Sequence, residues 1–303
     1  MKTSGIGGQA VIEGVMMKNG KNYAVAVRLP DESISVEQFV TKGLLKSEKI
    51  KKIPILRGII NFVESMGLGI KALTFSASFY DEEEQEKSQN EKKDKLAMTG
   101  AVVVAIFIAL GLFVVLPYGL SLLFGKFIHS LTLLSFIEGG FRLIIFFIYV
   151  YSISKLEEIK RVFMYHGAEH KCINCIENGM PLDLEHVRGS SRLHKRCGTS
   201  FLLIVMLISI LFFAFIRVPS PILRLVIRLV LIPLIAGIAY EFIKLAGRTE
   251  NKVVSFLSKP GLFLQKLTTS EPDDTMIEVG IKAVEAVFDW RTFIDEDKHE
   301  PML

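Results

Sequence analysis

Residues 96–124 read "LAMTGAVVVAIFIALGLFVVLPYGLSLLF", a run without a single charged side chain. A hydrocarbon layer about 30 Å thick needs roughly 20 apolar helical residues, so this run is long enough to span one. A helix buried in a large soluble core is the alternative, and the length of the run argues against it. The rest of the chain agrees. Half of its 303 residues are hydrophobic, 22 of them Phe, and the mean hydropathy of +0.40 is high for a soluble protein. Three further apolar runs follow: about Gly140 to Ser154, Thr199 to Ile216, and about Leu223 to Leu245 with Pro233 inside it. Glu138 precedes the second, four residues before Arg142, a spacing that allows a salt bridge at a helix entry. The expected fold class is therefore mainly α: a polytopic membrane protein with about four transmembrane helices. A small N-terminal antiparallel β region and cytoplasmic helical segments complete it.

The β region is read from "GQAVIEGVMM" and "YAVAVRLPDESISVEQF", short β-favouring stretches split by the turn chemistry of "KNGKN" and "LPD". The glycines from Gly5 to Gly8 have no strand–GxGxxG–helix context, so tight turns are their expected use. From Pro54, "PILRGIINFVESMGLGIKALTF" carries apolar residues at three- and four-residue intervals, broken by Arg57, Asn61 and Glu64. It reads as an amphipathic helix, either at the membrane interface or against the protein's own core. Residues 81–94, "DEEEQEKSQNEKKD", cannot bury enough apolar surface to order themselves and read as a linker or a solvated helix. Near the end, Ser270, Pro272, Asp273 and Asp274 open a helix with Ile277, Ile281, Val284 and Phe288 on one stripe. The expected segments are 1–53, 54–95, 96–154, 155–198, 199–247 and 248–303.

The first twenty residues lack a basic stretch followed by an apolar core, so no cleaved signal peptide is expected. The net charge of +4 says little alone, but its distribution orients the chain. Lys92, Lys93 and Lys95 precede the first span. Lys155, Lys160, Arg161 and further basic residues fill the loop after the second, and Lys244, Arg248 and Lys252 follow the fourth. By the excess of lysine and arginine in cytoplasmic loops, both termini and that long loop are expected in the cytoplasm, in a cell membrane. Cys172, Cys175 and Cys197 then face a reducing compartment, where free thiols or thiolate ligands are expected rather than disulfides.

The long loop contains "FMYHGAEHKCINC", residues 163–175. If the second span runs on as a helix through Tyr165, His166, Glu169, His170, Ile173 and Glu177 share one face, and Cys172 and Cys175 lie opposite. Two site chemistries compete. H-x-x-E-H is the inverted zincin order, in which His166 and His170 bind a divalent metal and Glu169 acts as general base on water. A third ligand comes from His194 or Cys197 in "LHKRCGTSF", or from Glu241 near the end of the fourth span. A straight helix would put His166 about 18 Å beyond Ser154, at a rise of about 1.5 Å per residue, which disfavours Glu241. The alternative ion pair for Glu241 is with Lys244 or Arg248. The second chemistry is a closed structural zinc site from Cys172, Cys175, His194 and Cys197, which requires a knuckle in place of the helix. A cytosolic helix without metal is the plainest alternative.

"GGQAVIEGVMM", "HGAEHK", "LHKRCGTSF" and "KPGLFLQKLTTSEPDD" together resemble the YqhQ-like bacterial membrane proteins, a domain-of-unknown-function family often labelled predicted metal-dependent enzymes. The resemblance runs over nearly the whole chain, with the four segments in order. It implies a bacterial cell-membrane location and places His166, Glu169, His170, His194 and Cys197 on the family's pattern. Cys172 and Cys175 lie outside that pattern, and Lys195 stands where the family often has proline.

Two functions follow as expectations. One is a metal-dependent, zinc-type hydrolase at the cytoplasmic face, with iron or manganese open as the metal and a membrane-associated substrate. The other is a non-enzymatic scaffold, lipid-handling or transport protein whose His/Cys cluster is structural or metal-free. The expected partners are the lipid bilayer, a membrane-associated substrate or a second copy of the chain, and no nucleic acid.

Overall fold

A computed structural model describes residues 3–43, 53–80, 91–216, 218, 220–247, 249 and 251–299. Residues 81–90 of the charged run lie outside it, and its last residues open a helix. Four strands come first: β1 (Gly7–Val11), β2 (Gly14–Asn19), β3 (Asn22–Arg28) and β4 (Ile34–Val40). They pair in sequence order as an antiparallel meander, with Gln9 opposite Met16 and Met16 opposite Val25. The amphipathic segment forms α1 (Leu56–Ala77). β2 and β3 read as nearly continuous apolar runs because both faces of the sheet are covered. Val11, Met16, Val25 and Val27 pack under Leu68 and Ala72 of α1. Val15, Met17 and Ala26 face the opposite way, into a core shared with the helix that carries His166.

All four expected spans are present as helices long and apolar enough to cross a membrane: Thr99–Phe124, Leu131–Ile153, Gly198–Phe215 and Ile222–Ala246. The first comprises α2 (Glu91–Leu110) and α3 (Leu116–Phe124), joined through one wider π-type turn at Gly111–Val115. The others are α4 (Leu131–Ile153), α7 (Gly198–Phe215) and α8 (Pro221–Ala246). The turn at Gly111–Val115 has an identifiable use. It leaves the Phe113 carbonyl available to Arg142 Nε at 2.9 Å. Arg142 also donates to Ser209 Oγ on α7 (2.8 Å) and to Glu138 (2.9 Å), and Arg228 of α8 pairs with the same carboxylate. Charged groups among apolar helices persist when paired in this way. The expected Glu138–Arg142 bridge thus forms, but not at a helix entry. α4 starts at Leu131, earlier than the sequence indicated, because Ser130 caps it through the Leu133 amide.

The expectation of one continuous rod from the second span into the histidine motif is corrected. α4 ends at Ile153, Leu156 adopts an extended conformation, and a separate helix, α5 (Glu157–Glu177), begins. The remaining helices are α6 (Leu184–Gly189), α9 (Lys252–Thr268), α10 (Asp274–Glu285) and α11 (Trp290–His299). The N-cap of α10 is Asp273, whose carboxylate accepts from the Met276 amide at 3.0 Å. Ser270, the capping residue expected from sequence, instead donates its amide to the Phe163 carbonyl of α5 at 2.9 Å. The apolar stripe of α10 docks as expected, with Ile277 and Val284 fully buried against α5 and the sheet. Gly167 does not break α5. It gives the Ser270 carbonyl room, since a Cβ at this position would lie 2.1 Å from that oxygen.

Candidate metal centre

α5 does place His166, Glu169 and His170 on one face, and the start of α7 brings Cys197 to them. The ligand atoms of His166, His170 and Cys197 lie within 4.8 Å of one another, so these three residues could hold a metal ion. Each imidazole is oriented by a backbone carbonyl. His166 Nδ1 stands 2.9 Å from the Thr268 carbonyl at the end of α9, and His170 Nδ1 stands 2.7 Å from the Arg192 carbonyl. A ring nitrogen facing a carbonyl carries the proton, which leaves each Nε2 as the lone-pair nitrogen. Cys197 is the N-cap of α7. Its Sγ receives the Thr199 amide at 3.3 Å and stands 3.3 Å from His166 Nε2. A sulfur at the positive end of a helix is well placed to ligate a cation.

Glu169 lies beside this trio, with Oε2 3.8 Å from His166 Nε2. Burial pushes its carboxyl above the usual carboxylate range, opposed by His166 and by the Gly8 backbone amide. Gly8 is a site residue that the sequence reading assigned to turns. A Cβ there would lie 2.8 Å from Glu169 Cγ and 2.7 Å from the Met16 carbonyl. Only glycine lets β1 come this close to the carboxylate. The signal was present in "GGQ", but only the approach of α5 gives it meaning.

His194 and Glu241 do not join the trio. The His194 ring is 5.7 Å from that of His170, centroid to centroid, and its Nε2 faces Glu177 Oε2 at 3.3 Å. Burial holds the His194 imidazole below its usual range, against the pull of Glu177. Glu177 opposes its own burial with several partners: His194, Arg196, and the amide and hydroxyl of Ser4 at 2.7 Å each. Together they bring its carboxyl down to about 2. Glu241 is gripped by Arg57 of α1 through both carboxylate oxygens. A contact between residues so far apart in the chain leaves no local pattern to read. Of the partners expected from sequence, Lys244 acts on Glu241 through its charge, behind Arg57, and Arg248 lies outside the described residues.

Cys172 and Cys175 face the other way. Both are fully buried free thiols in the core beneath the sheet and α10. The Cys175 thiol donates to the Pro181 carbonyl at 3.1 Å, and burial pushes it up to about 11. Burial raises the Cys172 thiol further. The four-ligand site from Cys172, Cys175, His194 and Cys197 does not form, because α5 stays helical through the motif.

A cavity of about 580 Å³ reaches Cys197 from the side of the spans. It lies between α1, the start of α7 and the end of α8, and Cys197 forms part of its wall.

Among known proteins, the family described as Protein of unknown function (DUF1385) matches residues 53–290. The "Uncharacterized protein YqhQ" of Bacillus subtilis (strain 168) is 38% identical over 298 residues, which cover 91% of this chain and 90% of that protein. No solved structure matches.

Proposed function

The chain belongs to the DUF1385 family, and from that premise we propose that it is a metal-dependent hydrolase working at the cytoplasmic face of a bacterial cell membrane. One observation carries this reading: two carbonyl-locked imidazoles and a helix-capping sulfur converge next to a buried carboxylate. The donor set fits a zinc-type cation. Two nitrogens and one sulfur, with a fourth position left to substrate or water, is the composition of a catalytic rather than a closed structural site.

His166, His170 and Cys197 hold the ion in this reading, and a divalent cation bound there supplies Lewis acidity. The Thr268 and Arg192 carbonyls keep both imidazoles in the ligating tautomer. Glu169 accepts a proton at its carboxylate and returns it to the leaving group, a role suited to a carboxyl whose affinity for protons burial has raised. Gly8 and β1 cover Glu169 and keep bulk water from it. His194, anchored by Glu177, lines the next shell beside His170. The orientation is supported by the ends of the spans. Ile153 ends the span that leads into α5, Gly198 opens the span that follows Cys197, and Lys155, Lys160 and Arg161 lie at the start of α5.

The test is metal analysis of the purified full chain. About one ion per chain is expected, and His166→Ala and His170→Ala each remove it. Glu169→Gln keeps the ion and abolishes complementation of a deletion strain. Unchanged metal content in both histidine variants rules the reading out.

A further inference from the structure

A second cavity, of about 470 Å³, opens on the side of the N-terminal glycines and shares walls with the one that reaches Cys197. Gln9, Asn61, Ser65, Arg196 and Tyr240 line both, so the two meet at a polar junction. Asn61 Nδ2 donates to Tyr240 Oη there at 2.7 Å. On the far side of the junction the chemistry changes. Phe62, Met66, Leu73, Phe201, Leu202 and Ile243 give the larger cavity an apolar wall between two membrane-spanning helices and α1. Among the described residues, the charged side chains lining the pair are Arg196 and Lys18, both cationic, with no Asp or Glu in either lining. Arg196 directly precedes Cys197, so the cation of the junction sits one residue from the candidate metal ligand. One of its guanidinium nitrogens is spent on Glu177.

We infer that the joined cavities hold a single-chain amphiphile with an oxyanionic head. Its chain lies along the apolar wall of α1, α7 and α8, and its head sits at the junction against Arg196. An apolar cleft with a few placed polar groups is the usual form of a small-molecule site. Arginine is the side chain that best matches a planar or tetrahedral oxyanion. A water-soluble substrate would leave the apolar wall uncovered, and a neutral lipid would offer no anion to Lys18 or to the guanidinium nitrogens of Arg196 that Glu177 does not engage. On the hydrolase reading, such an amphiphile is also the substrate class this site would process. The binding itself does not depend on that reading.

The experiment is equilibrium binding of dodecyl phosphate to the full chain in phosphatidylcholine nanodiscs, run on chelator-treated and on metal-loaded protein. Inorganic phosphate and dodecanol are the controls. Dodecyl phosphate is expected to bind at least about tenfold tighter than either control, with affinity rising about fourfold per CH₂ from butyl to octyl phosphate. Arg196→Gln lowers dodecyl phosphate affinity about tenfold and leaves dodecanol unchanged. Ser65→Trp, which fills the junction, removes binding. Met66→Glu, at a half-exposed position of α1 that tolerates polarity, weakens it without threatening the fold. Inorganic phosphate binding as well as dodecyl phosphate, or unaltered affinity in both Ser65→Trp and Met66→Glu, overturns the inference. Because the chelated protein is measured too, a missing amphiphile site and a missing metal are separate results.

Discussion

The two faces of α5 carry the same kinds of side chain and do opposite things. One face presents His166, Glu169 and His170 to Cys197, which in turn forms part of a cavity wall. The other presents Cys172 and Cys175 to the hydrophobic core. Both sets are the residue types that bind metals. What separates them is the surroundings: carbonyl groups and a helix N-terminus on one side, hydrocarbon on the other. Ligand-type residues become a site only where the neighbours orient a lone pair and leave room for an ion.

The largest effect that tests this contrast is on metal affinity. Cys197→Ser is expected to weaken binding by more than the 10–100-fold that outer-shell partners contribute. Cys172→Ala and Cys175→Ala should each leave it within about threefold, since neither touches a ligand. Competition titration with a chromogenic chelator reads all three, and comparable losses would erase the distinction between the faces.

Stability comes next. Glu177→Gln leaves Arg196 and His194 without their shared carboxylate on the histidine face, at a cost of about 3–5 kcal/mol for a broken buried pair. Gly167→Ala, on the flank of the helix, forces a methyl against the Ser270 carbonyl and should cost about 1–3 kcal/mol. Unfolding midpoints in detergent report both. Gly167→Ala with the wild-type midpoint would mean that α5 does not press against the Ser270 segment.

The smallest effect is chemical. Cys175, with its thiol at about 11, carries very little thiolate at neutral pH. Its alkylation by iodoacetamide should be slow there and rise about tenfold per pH unit up to that value. Denaturant should make all three thiols react. Mass spectrometry of the folded chain at neutral pH decides it, and rapid labelling of Cys175 would contradict its burial.

Much of this was legible in the sequence. Strongly apolar runs, the first and third free of charge and the others broken by few charged residues, mark the four membrane helices, and helical periodicity puts His166, Glu169 and His170 on one face. Both signals are local and depend only on spacing. Less legible were the features made by distant parts of the chain. The Thr268 and Arg192 carbonyls that fix the imidazoles belong to the backbone and carry no residue signature. Gly8 matters only because α5 passes beside β1. Arg57 meets Glu241, and Arg228 meets Glu138, across helix contacts that no periodicity encodes. The break at Ser154–Leu156 has no local sequence mark, since neither proline nor glycine lies there.

The most direct measurement is X-ray absorption spectroscopy of the zinc-loaded full chain, compared with Cys197→Ser. A first shell of one sulfur and two imidazole nitrogens, with the sulfur lost in the variant, is the expected result. A shell with two or more sulfurs, or one that keeps its sulfur in Cys197→Ser, would place the ion on the other face of α5 and contradict the assignment.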